Sequence, residues 1–135
     1  MIKLSTNIIN IEANISQVFA YVSNMENYKN WYPGCVSIVS SNSLPHGTVG
    51  KTYLETLVFD EGNMDLEIEV HKSEKDRIFQ TRGDLVGVLP QMTMQLVEDQ
   101  GGCNLELTYH SRNPKLAANQ EMLTELTNNI DDGAK

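Results

Sequence analysis

Residues 64–72, MDLEIEVHK, decide the fold class, because apolar and polar side chains alternate there with a period of two. One side of the segment carries Met64, Leu66, Ile68 and Val70, and the other carries Asp65, Glu67, Glu69 and His71. A period of two is the repeat of a β-strand that buries one face. We therefore predict a strand from Met64 to Lys72 whose acidic face lies in water.

Further strands are predicted on both sides of this one. They lie at Cys35–Ser41, Lys51–Phe59, Arg77–Gly83, Val86–Glu98 and Asn104–His110. Gly87 and Pro90 interrupt the strand at Val86–Glu98, which indicates a bulge or an edge start. Short glycine-containing turns, such as Asp60–Asn63 and Gln100–Gly102, join several of these segments. Strands joined so closely pair with their sequence neighbours, so we expect an antiparallel meander.

Two short helices are predicted after a first strand at Ile2–Glu12. Asn14 is a favourable N-cap for a helix from about Ile15 to Ser23. A second helical segment runs from Glu26 to Trp31, and the following Pro-Gly pair ends it. These helices precede the rest of the sheet in the chain.

The chain continues with a long amphipathic segment, residues 114–132, PKLAANQEMLTELTNNIDD. Leu116, Leu123, Leu126 and Ile130 recur at helical spacing, with Met122 beside them. A single long helix after a run of antiparallel strands covers the apolar face of the sheet. The order of elements predicts one α+β domain over residues 1–135, with helices on one side of an antiparallel sheet.

The inner face of this final helix is thin and partly polar, because Asn119 stands between Leu116 and Leu123. Methionines of the predicted sheet face the same side, and methionine adapts to irregular surfaces. Such a face indicates either a cavity for a ligand or a core that flexible side chains fill. A ligand in that cavity would contact Tyr53, Leu57, Met64, Leu66, Met92, Met94, Asn119, Met122 and Leu123.

Three polar side chains are candidates for chemistry inside such a cavity. Glu55 shares a strand face with Tyr53 and Leu57, and a carboxyl group in apolar surroundings can act as a general acid or base. Arg82 can pair with Glu55 or bind a ligand oxygen. The inward face of the Arg77–Gly83 strand is nevertheless ambiguous from the sequence. The alternative for Glu55 is a structural pair with Arg82 or a position at the rim.

Tyr109 is the third candidate, because it shares a face with Leu105 and Leu107. Its hydroxyl group needs a partner when the ring is buried, and it can orient a carbonyl or phenol of a ligand. The alternative is a hydrogen bond from Tyr109 to the backbone. Glu55, Arg82 and Tyr109 are therefore the candidate catalytic residues.

Composition and charge narrow the possible functions. Ten basic and eighteen acidic residues give a net charge of −8, which does not favour nucleic acid or an anionic membrane surface. Apolar runs are too short to insert into a membrane, and no signal-peptide pattern is seen, so we expect a cytoplasmic protein. Neither the two cysteines nor the three histidines have metal-binding spacing, and no cofactor motif is present. We predict no metal and no cofactor, and the oligomeric state is not indicated.

Residues 9–35, INIEANISQVFAYVSNMENYKNWYPGC, together with Val49–Tyr53, the strand series and the final helix, resemble the START-like (SRPBCC) superfamily, in its polyketide cyclase/dehydrase-like branch. The resemblance implies a helix-grip (Bet v 1/START-like) fold, in which a curved antiparallel sheet of about six to seven strands surrounds the C-terminal helix. It also implies a cavity for a hydrophobic ligand, with Trp31 and Tyr32 at its entrance. The alternative for Trp31 is a structural role, in which it anchors the short helices to the sheet.

This superfamily has no single activity, so three functions remain open. The first is binding or carriage of a small hydrophobic molecule between the sheet and the C-terminal helix. The second is a polyketide cyclase/dehydratase-like enzyme that uses Glu55, Arg82 and Tyr109. The third is a protein-interaction module with a filled interior, whose acidic outer face meets a basic partner.

Overall fold

A computed structural model describes residues 2–31, 35–85 and 87–113, and these ranges form seven strands and two short helices. The strands are β1 (Ile2–Ile11), β2 (Cys35–Ser40), β3 (Thr52–Phe59), β4 (Gly62–Glu74), β5 (Ile78–Gly83), β6 (Pro90–Asp99) and β7 (Gly102–Ser111). The helix α1 (Ile15–Val22) and a 3-10 helix (Met25–Asn30) connect β1 to β2.

All seven strands belong to one antiparallel sheet with the order β1-β7-β6-β5-β4-β3-β2. Strands β2 to β7 pair with their sequence neighbours, and β1 pairs with β7. The curved sheet and the two short helices confirm the predicted fold class. The predicted helix at Pro114–Asp132 lies outside the described residues, and with it the predicted ligand contacts Asn119, Met122 and Leu123.

The alternation that predicted β4 is confirmed. Leu66, Ile68 and Val70 are buried on the concave face, and Met64 is half-buried against the same core. Asp65, Glu67, Glu69 and His71 are exposed, as the pattern required. The burial of one face and the solvation of the other follow directly from the strand repeat.

The predicted strand at Val86–Glu98 begins too early. The observed strand starts at Pro90, and residues 87–89 form a turn before it. Gly87 has φ 88° and Leu89 has φ 48°, and neither value is compatible with an extended strand. The backbone N–H groups of Val88 and Leu89 both donate to the carbonyl of Leu85, which closes the loop on itself.

The two helices cover one part of the concave face. Helix α1 begins at the predicted N-cap, where Asn14 Oδ1 accepts a hydrogen bond from the Ser16 N–H at 2.8 Å. It buries Val18, Phe19 and Val22, and the Phe19 ring meets Phe79 of β5 edge-on at 6.4 Å. The 3-10 helix packs against β2 and buries Met25 and Tyr28. Both helices therefore bring side chains over the sheet.

Candidate functional site

A small cavity lies on the concave face, at the point where the 3-10 helix crosses the sheet. Its volume is about 40 Å³. Most of its lining is apolar, and the polar exceptions are Glu55, Tyr28, Tyr109 and Thr81. The apolar lining residues are Met25, Leu57, Leu66, Ile68, Gly83, Leu85, Pro90 and Met92.

Glu55 is the one carboxylic acid among the described residues that line this cavity. The β3 repeat turns it inward between Tyr53 and Leu57, and the residue is only 3% exposed. Its Oε2 atom has no hydrogen-bond partner among the residues that the structure describes. Burial raises the pKa of this carboxyl group to about 7. The Cys35 thiol opposes part of this rise, because it donates a hydrogen bond to the carboxyl group. Glu55 can therefore exchange a proton near neutral pH.

Cys35 reaches Glu55 because the pairing of β2 with β3 shifts register between Cys35 and Ser37. Burial and the nearby Glu55 charge together raise the pKa of the Cys35 thiol to about 12. A thiol with such a pKa stays protonated, and it acts here as a weak hydrogen-bond donor. Cys35 is therefore a neighbour of the carboxyl group and not a nucleophile.

Two tyrosine hydroxyl groups form the second polar feature. Tyr28 of the 3-10 helix and Tyr109 of β7 hydrogen-bond through their hydroxyl oxygens at 2.5 Å. Both residues are buried, and both line the cavity. The expected inward orientation of Tyr109 is thus observed, and its hydroxyl meets a side chain. The pair fixes the 3-10 helix against the sheet.

An apolar groove of about 390 Å³ lies beside the cavity. Its lining comes from β1, β7, α1 and the residues next to them: Ile9, Ile11, Ala13, Gln17, Val18, Tyr21, Val22, Trp31, Leu105 and Leu107. The Trp31 ring meets the Tyr28 ring edge-on at 4.6 Å. Leu107 of the groove and Tyr109 of the cavity share one face of β7. The ring contact of Tyr28 with Trp31 and the shared face of β7 therefore make the groove and the cavity neighbours.

The other predicted ligand contacts fall into different environments. Leu57, Leu66 and Met92 line the cavity, and Trp31 lines the groove. Tyr53 and Met94 are fully buried and line neither space, while Met64 packs against the edge of the core. Tyr32 lies outside the described residues.

Arg82 is not brought to Glu55. Thr81 and Gly83 of β5 line the cavity, so the intervening Arg82 side chain lies on the opposite face of the sheet. There its Nε donates to Gln91 Oε1 at 2.9 Å. This resolves the face of β5 that the sequence left ambiguous, and the suggested pair of Arg82 with Glu55 is not formed.

A second polar network lies close to the first, and every member has a partner. His46 Nδ1 lies 2.6 Å from the Tyr53 hydroxyl, and His46 Nε2 lies 3.5 Å from Glu26 Oε1. Glu26 Oε2 accepts hydrogen bonds from the backbone and the hydroxyl of Ser40, which lower the pKa of Glu26. The network fastens the loop before β3 to the 3-10 helix.

Sequence reasoning missed several residues of the site. Tyr28, Met25 and Cys35 lie near the cavity only because the short helix and the β2 bulge place them there. Ser5 Oγ and Asn7 Nδ2 are also buried without a partner among the described residues. Asn7 and Ile9 are two positions apart on β1, so they share one face of the strand. The alternation along β1 therefore indicated that Asn7 points inward with Ile9.

The family model described as "Polyketide cyclase / dehydrase and lipid transport" matches residues 1–133. The chain belongs to this family. The predicted resemblance to the START-like (SRPBCC) superfamily and its polyketide cyclase/dehydrase-like branch is therefore confirmed. A search of the curated proteins found no match.

Solved structures share the fold of this polyketide cyclase/dehydrase family member at low sequence identity. A protein from Arthrobacter aurescens has a TM-score of 0.68 and 10% identity, over 96% of this chain and 82% of that chain. The di-domain ARO/CYC StfQ from the steffimycin biosynthetic pathway has a TM-score of 0.66 and 6% identity, over 94% of this chain and 43% of that chain. Ara h 8.0201 has a TM-score of 0.63 and 12% identity, over 96% and 93%. These likenesses concern the fold.

No helix within residues 2–31, 35–85 and 87–113 is long and apolar enough to cross a membrane. The same ranges contain no group of three His, Cys, Asp or Glu side chains that could hold a metal ion.

Proposed function

We propose that this protein binds a small hydrophobic molecule on the concave face of its sheet, between the sheet and the predicted C-terminal helix. The observation that carries the proposal is the apolar groove of about 390 Å³ beside the Glu55 cavity. Small-molecule sites have volumes of roughly 300–1,000 Å³ and combine an apolar lining with few polar groups. The groove has this size and this lining.

The arrangement of the two spaces supports a ligand with one polar end. Ile9, Ile11 and Leu107 offer the apolar body of such a molecule a dry surface. Glu55 and the hydroxyl pair of Tyr28 and Tyr109 offer polar partners at one end. A few convergent polar groups within an apolar site fix the orientation of a ligand.

Binding is testable with octanol as the probe and Trp31 as the reporter. Trp31 is the single tryptophan of the chain and lines the groove, so its fluorescence should change saturably on titration. Native mass spectrometry of freshly purified protein should in addition show a co-purifying apolar molecule. Absence of both signals, in protein from several expression hosts, would contradict the proposal.

Two substitutions on one strand provide a matched comparison. Ile9 lines the groove, whereas Ile8 points to the other face of β1 and is 68% exposed. Ile9→Gln removes one apolar contact with the ligand and should weaken octanol binding about tenfold. Ile8→Gln should leave the affinity unchanged. Equal affinities of the two variants, measured by calorimetry on folded protein, would place the ligand elsewhere.

The second candidate function is a cyclase/dehydratase-like enzyme on the same scaffold. The observation that favours it is the buried Glu55, whose pKa of about 7 suits a general acid or base. Glu55 would remove a proton next to a ligand carbonyl, and Tyr109 would hydrogen-bond the oxygen that becomes negative. Arg82 has no role in this mechanism, because it lies on the opposite face.

A proton-exchange assay tests the proposed catalysis even though the natural substrate is not known. In heavy water, the native protein should accelerate deuterium incorporation next to the carbonyl of heptyl methyl ketone, followed by NMR. Glu55→Gln should remove that acceleration, because an amide cannot accept the proton. Equal rates with and without native protein would argue against catalysis and leave the binding function intact.

The third hypothesis, an interaction module with a filled interior, receives less support. The acidic face of β4 is exposed, as that hypothesis requires. The cavity and the groove, however, leave space within the described part of the molecule. A single domain over residues 1–135 and a cytoplasmic location stay predictions.

A further inference from the structure

We propose that the ligand is a hydroxyl-bearing apolar molecule whose hydroxyl group donates a hydrogen bond to Glu55, and that the site selects against carboxylic acids. This proposal deepens the binding function above and rests on it. It names the chemical class of the ligand and the atom that recognises it.

One carboxyl oxygen of Glu55 lacks a hydrogen-bond partner among the described residues. Glu55 lines the cavity at 3% exposure, and its Oε2 has no hydrogen-bond partner in the described ranges. Buried polar atoms in folded proteins are nearly always hydrogen-bonded, so an unpartnered one points to a missing partner. Above about pH 7, where Glu55 is ionised, its carboxylate oxygens only accept hydrogen bonds. At those pH values the missing group must therefore donate.

The side chains around Glu55 determine which ligand charge the cavity can accept. The titratable groups that face it are the Cys35 thiol from β2, the Tyr28 hydroxyl from the 3-10 helix and the Tyr109 hydroxyl from β7. No lysine, arginine or histidine is among the cavity-lining residues that the structure describes. A ligand carboxylate would thus meet a like charge without a counter-ion, in a place that water does not screen.

The volumes of the cavity and the groove limit which part of a ligand each space can hold. A cavity of about 40 Å³ holds one small polar group but no extended chain. The adjoining groove of about 390 Å³ is large enough for the apolar body. Tyr28 and Tyr109 line the cavity, and the Tyr28 ring contacts Trp31 of the groove, so the hydroxyl end of a ligand that spans both spaces lies close to the tyrosine pair.

Three probes with the same chain length test this chemistry on the native protein. Octanol has a donor, heptyl methyl ether is its isomer without a donor, and octanoate carries a negative charge. At pH 8.5, where Glu55 is ionised, octanol should bind about tenfold more tightly than the ether, because a hydrogen bond to a charged group is lost. Octanoate should bind at least about thirtyfold more weakly than octanol.

Glu55→Gln links the selectivity to this side chain. An amide both donates and accepts hydrogen bonds, so the preference for octanol over octanoate should narrow to within about threefold. Glu67→Gln is the matched control, since Glu67 is exposed on the outer face of β4 and carries the same charge. It should keep the native selectivity. Circular dichroism and urea unfolding establish that both variants are folded.

Binding measurements on the native protein test the proposal even if Glu55→Gln does not fold. At pH 5.5 the protonated Glu55 can donate to a carboxylate, so the preference for octanol over octanoate should shrink there as well. Equal affinities for octanol and its isomeric ether at pH 8.5 would overturn the proposal, and so would tight binding of octanoate. Both results keep the binding function. Failure of all three probes to bind would instead overturn the binding function itself.

Discussion

Tyr53 and Glu55 are inward-facing polar residues two positions apart on β3, and they meet opposite conditions. The Tyr53 hydroxyl is hydrogen-bonded to His46, which contacts Glu26 in turn. Glu55 is hydrogen-bonded to the Cys35 thiol, and its Oε2 atom has no partner among the described residues. Both residues are almost completely buried. Burial alone therefore does not distinguish them, and hydrogen-bond satisfaction does.

The difference separates a structural network from a candidate site. A fully satisfied polar network rigidifies the fold, and here it joins the loop before β3 to the 3-10 helix. An unsatisfied buried carboxyl group costs stability when it ionises, and such groups cluster where proteins bind or react. We therefore propose different roles for these neighbouring positions on one strand face.

The largest expected effect concerns Glu55 and pH. The folded protein keeps a proton on Glu55 up to about pH 7, whereas the unfolded chain releases it near the ordinary value of 4.5. The folded state binds more protons between these values, so the free energy of unfolding falls as pH rises through this window. From pH 5 to pH 8 this loss should be about 2.5 kcal/mol. It should be absent in Glu55→Gln, as urea unfolding will show.

Glu67→Gln should retain the full decline, because Glu67 is exposed on the opposite face of the sheet. All other titratable groups except position 67 are common to the three proteins and cancel in the comparison. A decline of equal size in native protein and Glu55→Gln would mean that Glu55 is ionised in the folded state at pH 5. The contrast with Tyr53 would then disappear.

A smaller effect is expected at Tyr53. Tyr53→Phe removes the hydrogen bond to His46 Nδ1, and half-exposed His46 can recover part of it from water. The free energy of unfolding should fall by about 1 kcal/mol, measured by urea unfolding at pH 8. Octanol affinity should stay within about twofold, since Tyr53 lines neither the cavity nor the groove.

Tyr21→Phe is the stability control for this variant. Tyr21 is exposed, and its hydroxyl accepts only a long hydrogen bond of 3.3 Å from Asn30. Its loss should change the free energy of unfolding by less than about 0.5 kcal/mol. A tenfold loss of octanol affinity in Tyr53→Phe, with stability unchanged, would show that the Tyr53 network belongs to the ligand site.

The fold was predictable where the residue pattern is local. The alternation in β4 specified both the strand and its buried face, and Asn14 marked the start of α1. The start of β6 was not predictable, because Val88 and Leu89 favour a strand by composition. The positive φ angles at Gly87 and Leu89 place them in a closed loop, which the tertiary structure accommodates.

The candidate site was predictable in part for the same reason. The period-two repeat of β3 placed Glu55 on the face of Leu57, and that of β7 placed Tyr109 on the face of Leu107. The side of Arg82 could not be decided, because Ile78 and Phe79 are both apolar and β5 reads equally well in either register. Tyr28 was missed because a short helix has no reliable orientation in sequence.

The sequence by itself determined the strands, their buried faces and the inward position of a carboxyl group on β3, because side-chain direction along a strand follows from a repeat of two. Only the tertiary structure decided what surrounds that group. The curvature of the sheet, the β2 bulge and the position of the 3-10 helix bring Cys35, Tyr28 and Tyr109 around one cavity with Glu55. Those residues are distant in the chain, and their meeting depends on packing across the whole domain.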